Sequence, residues 1–112
     1  TLVMLIFFAS WCPHCQAETP HIVKIYNELG PEKLQVVAVS LGETRDKVEA
    51  YRKEFNVPYP LLLDPQGISA NLYYVQSIPL NVFIDADGLI ISGYGGALDE
   101  AELREILAEL IK

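Results

Sequence analysis

Residues 2–15, Leu2-Val3-Met4-Leu5-Ile6-Phe7-Phe8-Ala9-Ser10-Trp11-Cys12-Pro13-His14-Cys15, join an unbroken apolar run to a pair of cysteines. Leu2 to Phe8 is rich in β-formers and lacks polar alternation, which predicts a strand buried on both faces. Ala9-Ser10-Trp11 is the connection. Pro13 suits the first position of a helix, where its missing N–H costs nothing, so Cys12 falls at the N-cap and Cys15 within the first turn. The helix dipole and the unpaired amides there stabilise a thiolate on Cys12. Only a thiolate attacks a disulfide, so Cys12 is expected to be the nucleophile and Cys15 the resolving thiol.

The helix is predicted over Pro13 to Leu29, stopping at Gly30-Pro31. Its apolar stripe is Cys15, Ile22, Ile25 and Leu29, with Glu18 as its one polar member. Pro20 inside it should kink the axis and free the carbonyl of Gln16. Leu34 to Leu41 reads as a second strand, parallel to the first. Thr44 caps a helix to about Phe55, with Val48, Tyr51 and Phe55 inward. A short strand, Leu61 to Leu63, lies among Pro58, Pro60 and Pro65, and a brief helix carrying Ile68 and Leu72 follows Gly67. Asn81 to Asp85 and Leu89 to Tyr94 form a hairpin about Asp87-Gly88. Asp99 and Glu102 make a capping box for a last helix with Leu103, Ile106, Leu107 and Leu110 inward. The sum is α/β: a central mixed sheet of four to five strands, helices on both faces, and an inserted α-β segment.

The chain has 112 residues, 51% hydrophobic and 21% charged, with a net charge of −7 at pH 7. That length predicts one domain over residues 1–112. The acidic balance argues against nucleic acid or an anionic membrane surface as a partner. The apolar run from Leu2 to Ala9 is too short to span a bilayer and lacks a signal peptide's flanks. Because Thr1 opens directly in a strand, a mature fragment or excised domain is expected, with any targeting or anchoring segment outside this chain.

With only two cysteines in the chain, the loop between them is too small to staple a fold, which leaves redox or metal chemistry. His14 and His21 are the only histidines, and there is no second cysteine pair to complete a zinc site. Neither a metal nor any other cofactor is expected. Asp85-Ala86-Asp87-Gly88 lacks the further ligands of a calcium loop. Gly93, Gly95 and Gly96 lack the Lys-Ser/Thr of a phosphate loop.

Ala9 to Cys15 with Glu18 and Pro20, then Asp64-Pro65-Gln66-Gly67, Tyr73, Val75, Ile78-Pro79, Phe83-Ile84-Asp85, Gly88 and Gly96, resemble the thioredoxin superfamily. Within it the sequence is most similar to the TlpA/ResA-like branch of extracytoplasmic thiol–disulfide oxidoreductases, which is related to AhpC/TSA and redoxin proteins. The resemblance covers essentially the whole chain; the family's N-terminal β-hairpin would lie before Thr1. It implies a thioredoxin fold and exchange of dithiol for disulfide through a mixed disulfide. The implied partners are protein thiols or disulfides and an upstream redox protein, met by a monomer outside the cytoplasm.

The resemblance also implies a cis peptide bond before Pro79, opposite the cysteines, with Ile78 offering its backbone to an extended peptide. The residues alone favour a trans proline opening a strand, and it is the resemblance that overturns this. Trp11 and Pro13 would border the same groove, Trp11 as an aromatic cover for the turn. Glu18, on the inward stripe where the family keeps an acid, is expected to be a buried proton carrier rather than a solvated carboxylate. His14 is expected to pair with the Cys12 thiolate and raise the reduction potential; the alternative is an exposed side chain with no partner. Leu80-Asn81 stands where the family commonly has Thr, and Tyr74 and Ser77 replace usual glycines. Two other functions remain: a copper-binding chaperone using Cys12, Cys15 and a histidine, and a peroxiredoxin-like peroxidase, whose Pro-x-x-x-Thr-x-x-Cys pattern is absent.

Overall fold

In a computed structural model, which describes residues 1–111, five strands form one sheet in the order β3-β2-β1-β4-β5. The central strand β1 (Leu2–Phe8) pairs parallel with β2 (Leu34–Leu41) and antiparallel with β4 (Leu80–Ile84). Having a neighbour on each side and a packed layer on each face, β1 can afford no polar side chain, which is the physical reason for its unbroken apolar run. Met4, Ile6 and Phe8 point to the larger core, with Ile22 and Ile25 of α1 (Pro13–Leu29) and Leu103 and Leu107 of α4 (Glu100–Leu110). Phe7 points the other way, into a smaller cluster with Val39 and Val82, against which Tyr73, Val75 and Ile78 pack.

The helix ends obey local chemistry. Thr44 Oγ1 accepts from Lys47 N–H to start α2 (Arg45–Phe55), and Asn56 ends it in the left-handed region at φ 52°. The Asp99–Glu102 capping box starts α4. Short β3 (Leu61–Asp64) adds parallel to β2, and α3 (Ile68–Leu72) follows under the carboxylate of Asp64, which accepts from Ile68, Ser69 and Ala70 N–H.

The hairpin strands differ by one residue from expectation. β4 is Leu80–Ile84 and β5 is Ile90–Gly95. Leu80 joins the ladder because Phe7 of β1 lies opposite it. Asp85 leaves the ladder because its carboxylate turns inward to accept from Asp87 and Leu89 N–H. Gly88, at φ 83°, sits in the left-handed conformation that this turn requires.

Candidate active site

The C-terminal end of β1 delivers the chain to the start of α1. Cys12 caps that helix: its Sγ accepts from Cys15 N–H at 3.3 Å, and its carbonyl accepts from Gln16 N–H at 3.0 Å. Pro13 follows at the first helical position. Both cysteines are free thiols and both are buried. The segment before β4 closes over them. The Ile78–Pro79 peptide bond is cis, and the Ile78 carbonyl accepts from Cys12 Sγ at 3.9 Å. Cys12, Cys15, Ile78 and Pro79 therefore meet in space, although 66 positions separate Cys12 from Ile78.

The connection before Cys12 is clamped from two sides. Glu43, between β2 and α2, is only 6% exposed. Its Oε1 accepts from Ser10 N–H and from Ser40 Oγ, each at 2.7 Å, and its Oε2 accepts from Ser10 Oγ. From the other side, Gln16 Nε2 donates to the Ser10 carbonyl at 2.7 Å. None of these polar supports was singled out in the sequence.

Under the turn lies Glu18, 2% exposed. Its Oε2 accepts from Asn81 Nδ2 at 2.7 Å and from Leu98 N–H at 2.8 Å. Burial pushes its carboxyl up to about 7, against the two hydrogen bonds, which favour the ionised form. Cys15 is pushed far above the ordinary thiol range, first by burial and next by its hydrogen bond to Cys12. Its carbonyl accepts from Thr19 Oγ1 at 2.9 Å and from Tyr51 OH at 3.3 Å. Between Cys15, Glu18, Thr19, Tyr51 and Tyr59 lies a cavity of about 10 Å³, close to the room one water needs.

Two expected members stand apart. Trp11 is 68% exposed, so most of its ring faces solvent. His14 is exposed and makes no side-chain hydrogen bond among the described residues. One strong neighbour was visible in the sequence without its partner: Asn81 is a poor strand former inside a strand. Among the described residues no group of three or more His, Cys, Asp or Glu is placed to hold a metal ion.

Comparison with known proteins agrees with this geometry. The model of the AhpC/TSA family matches residues 1–92. The chain is 33% identical over 108 residues to the thiol-disulfide oxidoreductase ResA of Oceanobacillus iheyensis, covering 96% of this chain and 56% of that protein. It spans about three fifths of the length of the curated relatives it matches. Among solved structures it is similar to a putative thiol:disulfide interchange protein DsbE from Chlorobium tepidum, with TM-score 0.86, 28% identity, and coverage of 98% of this chain and 80% of that one. The exposed lipoprotein thioredoxin of Streptococcus pneumoniae gives TM-score 0.83 at 28% identity, covering 98% of this chain and 85% of that one. The sheet order and helices are those of the thioredoxin fold.

Proposed function

Because the chain belongs to the AhpC/TSA family, we propose that it is one thioredoxin-like domain, residues 1–112, exchanging a Cys12–Cys15 dithiol for a disulfide with protein partners. The observation that supports this best is the placement of Cys12 Sγ: on the Cys15 amide at a helix N-terminus, and against the Ile78 carbonyl. Cys12, as thiolate, attacks one sulfur of a partner disulfide. A Cys12–partner bond forms, the partner's own bond breaks, and the departing thiolate takes a proton from water. Glu18 then takes the proton of Cys15; the Cys15 thiolate attacks Cys12 Sγ, the Cys12–partner bond breaks, and the second partner sulfur leaves as a thiolate that takes its proton from water. The partner gains two electrons and two protons, and the chain is left oxidised. Run backwards, the same steps oxidise a dithiol.

In this reading an extended partner segment would lie beside Cys12 against Ile78, Pro79, Pro13 and Trp11. Peroxide chemistry fits less well: Ala9 and Leu5 stand where the peroxidase pattern needs threonine and proline. An extracytoplasmic setting and a monomer facing an upstream redox protein complete the reading. Support for the setting is the structural relative from Streptococcus pneumoniae described as an exposed lipoprotein. Among the described residues no helix is long and apolar enough to cross a membrane.

Trapping tests the chemistry. A Cys15→Ser variant mixed with a disulfide-bonded protein should accumulate a mixed disulfide that peptide mapping places on Cys12. No adduct, or preferential reaction of Cys15 in the unaltered protein, would overturn the assignment.

A further inference from the structure

The most unusual polar group in the molecule is Asn81. It lies on β4 with 0% exposure. Its Nδ2 donates to Glu18 Oε2 at 2.7 Å and approaches the Gly96 carbonyl at 3.4 Å. Its Oδ1 is buried and meets no hydrogen-bond partner among the described residues. A buried amide oxygen left unpaired costs on the order of 1–3 kcal/mol, so an asparagine at this place is justified by something other than packing.

The carboxylate supplies the reason. While Glu18 is ionised it can only accept, and Nδ2 is the atom that must face it. Once Glu18 takes up a proton it gains an O–H donor, and the atom that suits it is the idle Oδ1. A half-turn of the carboxamide about its last side-chain bond exchanges the two atoms in place and gives up only the long 3.4 Å approach of Nδ2 to the Gly96 carbonyl. Leu98 N–H can remain on Oε2 in both states, because a protonated carboxyl oxygen still accepts.

We propose that Asn81 is the positioning residue for Glu18, holding the carboxylate through Nδ2 and turning over to accept the carboxyl O–H through Oδ1 when Glu18 is protonated. This rests on the reading of Glu18 as the carrier of the Cys15 proton, and it adds the element that keeps both protonation states hydrogen-bonded in a buried site. The titratable groups facing Glu18 are Cys15 and Cys12 on the turn, Tyr51 on α2 and Tyr59 before β3. β1 and β4 carry none. All four are neutral when protonated, and no cation pairs with Glu18 among the described residues. Asn81 and the Leu98 amide are thus the groups that favour its ionised form.

The unaltered protein provides the first test. In an NMR titration the Asn81 side-chain NH₂ resonances should shift with the midpoint of the Glu18 carboxyl carbon. An Asn81 amide that stays still while Glu18 titrates overturns the proposal. Asn81→Leu and Asn81→Val, which remove the donor, should raise the Glu18 midpoint by about one pH unit or more, a tenfold change in proton affinity. An unmoved midpoint in a folded variant also overturns it. The rate of mixed-disulfide resolution against pH separates this from the underlying reading. If Glu18→Gln leaves that profile unchanged while the NMR coupling persists, the proton-carrier role falls and the pairing stands. If the profile depends on Glu18 while the resonances are uncoupled, the pairing falls alone.

Discussion

Glu43 and Glu18 are both buried carboxylates beside the same turn, and they are held in opposite ways. Glu43 uses both oxygens, taking two donors from Ser10 and one from Ser40. The two bonds from Ser10 tie its connection to the β2–α2 loop, and the bond from Ser40 fixes the carboxylate against the end of β2. Glu18 takes both of its donors on a single oxygen, with its inner face toward a small cavity and Cys15. Saturated with donors, a buried carboxylate is a clamp; left partly unsatisfied, it becomes a group that trades protons near neutrality.

Breaking the clamp should have the largest effect. Glu43→Ala strands three donors that are buried or nearly so, and should destabilise the fold by about 4 kcal/mol in urea denaturation. A loss under about 1 kcal/mol would show that the connection holds without it. Glu43→Gln, which keeps one acceptor, should lose less.

The second test turns on sign. The folded carboxyl of Glu18 titrates at about 7 against an ordinary value of 4.5, so its raised pKa favours folding only while the group is protonated in both states. Stability is complete below about pH 4.5 and is lost as pH rises through 7, by about 3 kcal/mol. Glu18→Gln should abolish that slope and be the more stable protein at pH 8, measured by urea midpoints at pH 4.5 and 8. A parallel slope in the variant would return Glu18 to the class of the clamp.

The smallest effect belongs to His14, on the same turn but in solvent. With no hydrogen bond from His14 to Cys12, only the charge of the ring can favour the dithiol, so His14→Pro should lower the reduction potential, by about 10–30 mV against glutathione at fixed pH. An equal or higher potential would show that His14 does not tune the turn.

The contrast between the two acids also marks what could be read in advance. Glu18 announced itself because it interrupts an apolar stripe at helical spacing. Glu43 did not, since a glutamate between Gly42 and Thr44 reads as a solvated connection, and its partner Ser10 lies 33 positions away. Asn81 was marked only as part of a pair standing where the family commonly has Thr, and what it touches, 63 positions earlier, was hidden.

Short-range rules were enough for the strand–turn–helix at Cys12, the caps at Thr44 and Asp99, and the order of elements, because periodicity, caps and turn residues act within a few positions. The partners of Glu18, the exposure of Trp11 and His14, and the approach of Ile78 to Cys12 arise only once β4 lies beside β1 with Asn81 opposite Ile6. That register is fixed by packing both faces of the sheet together, since a slip of one residue would turn Asn81 to the opposite face and leave Glu18 with the Leu98 amide alone.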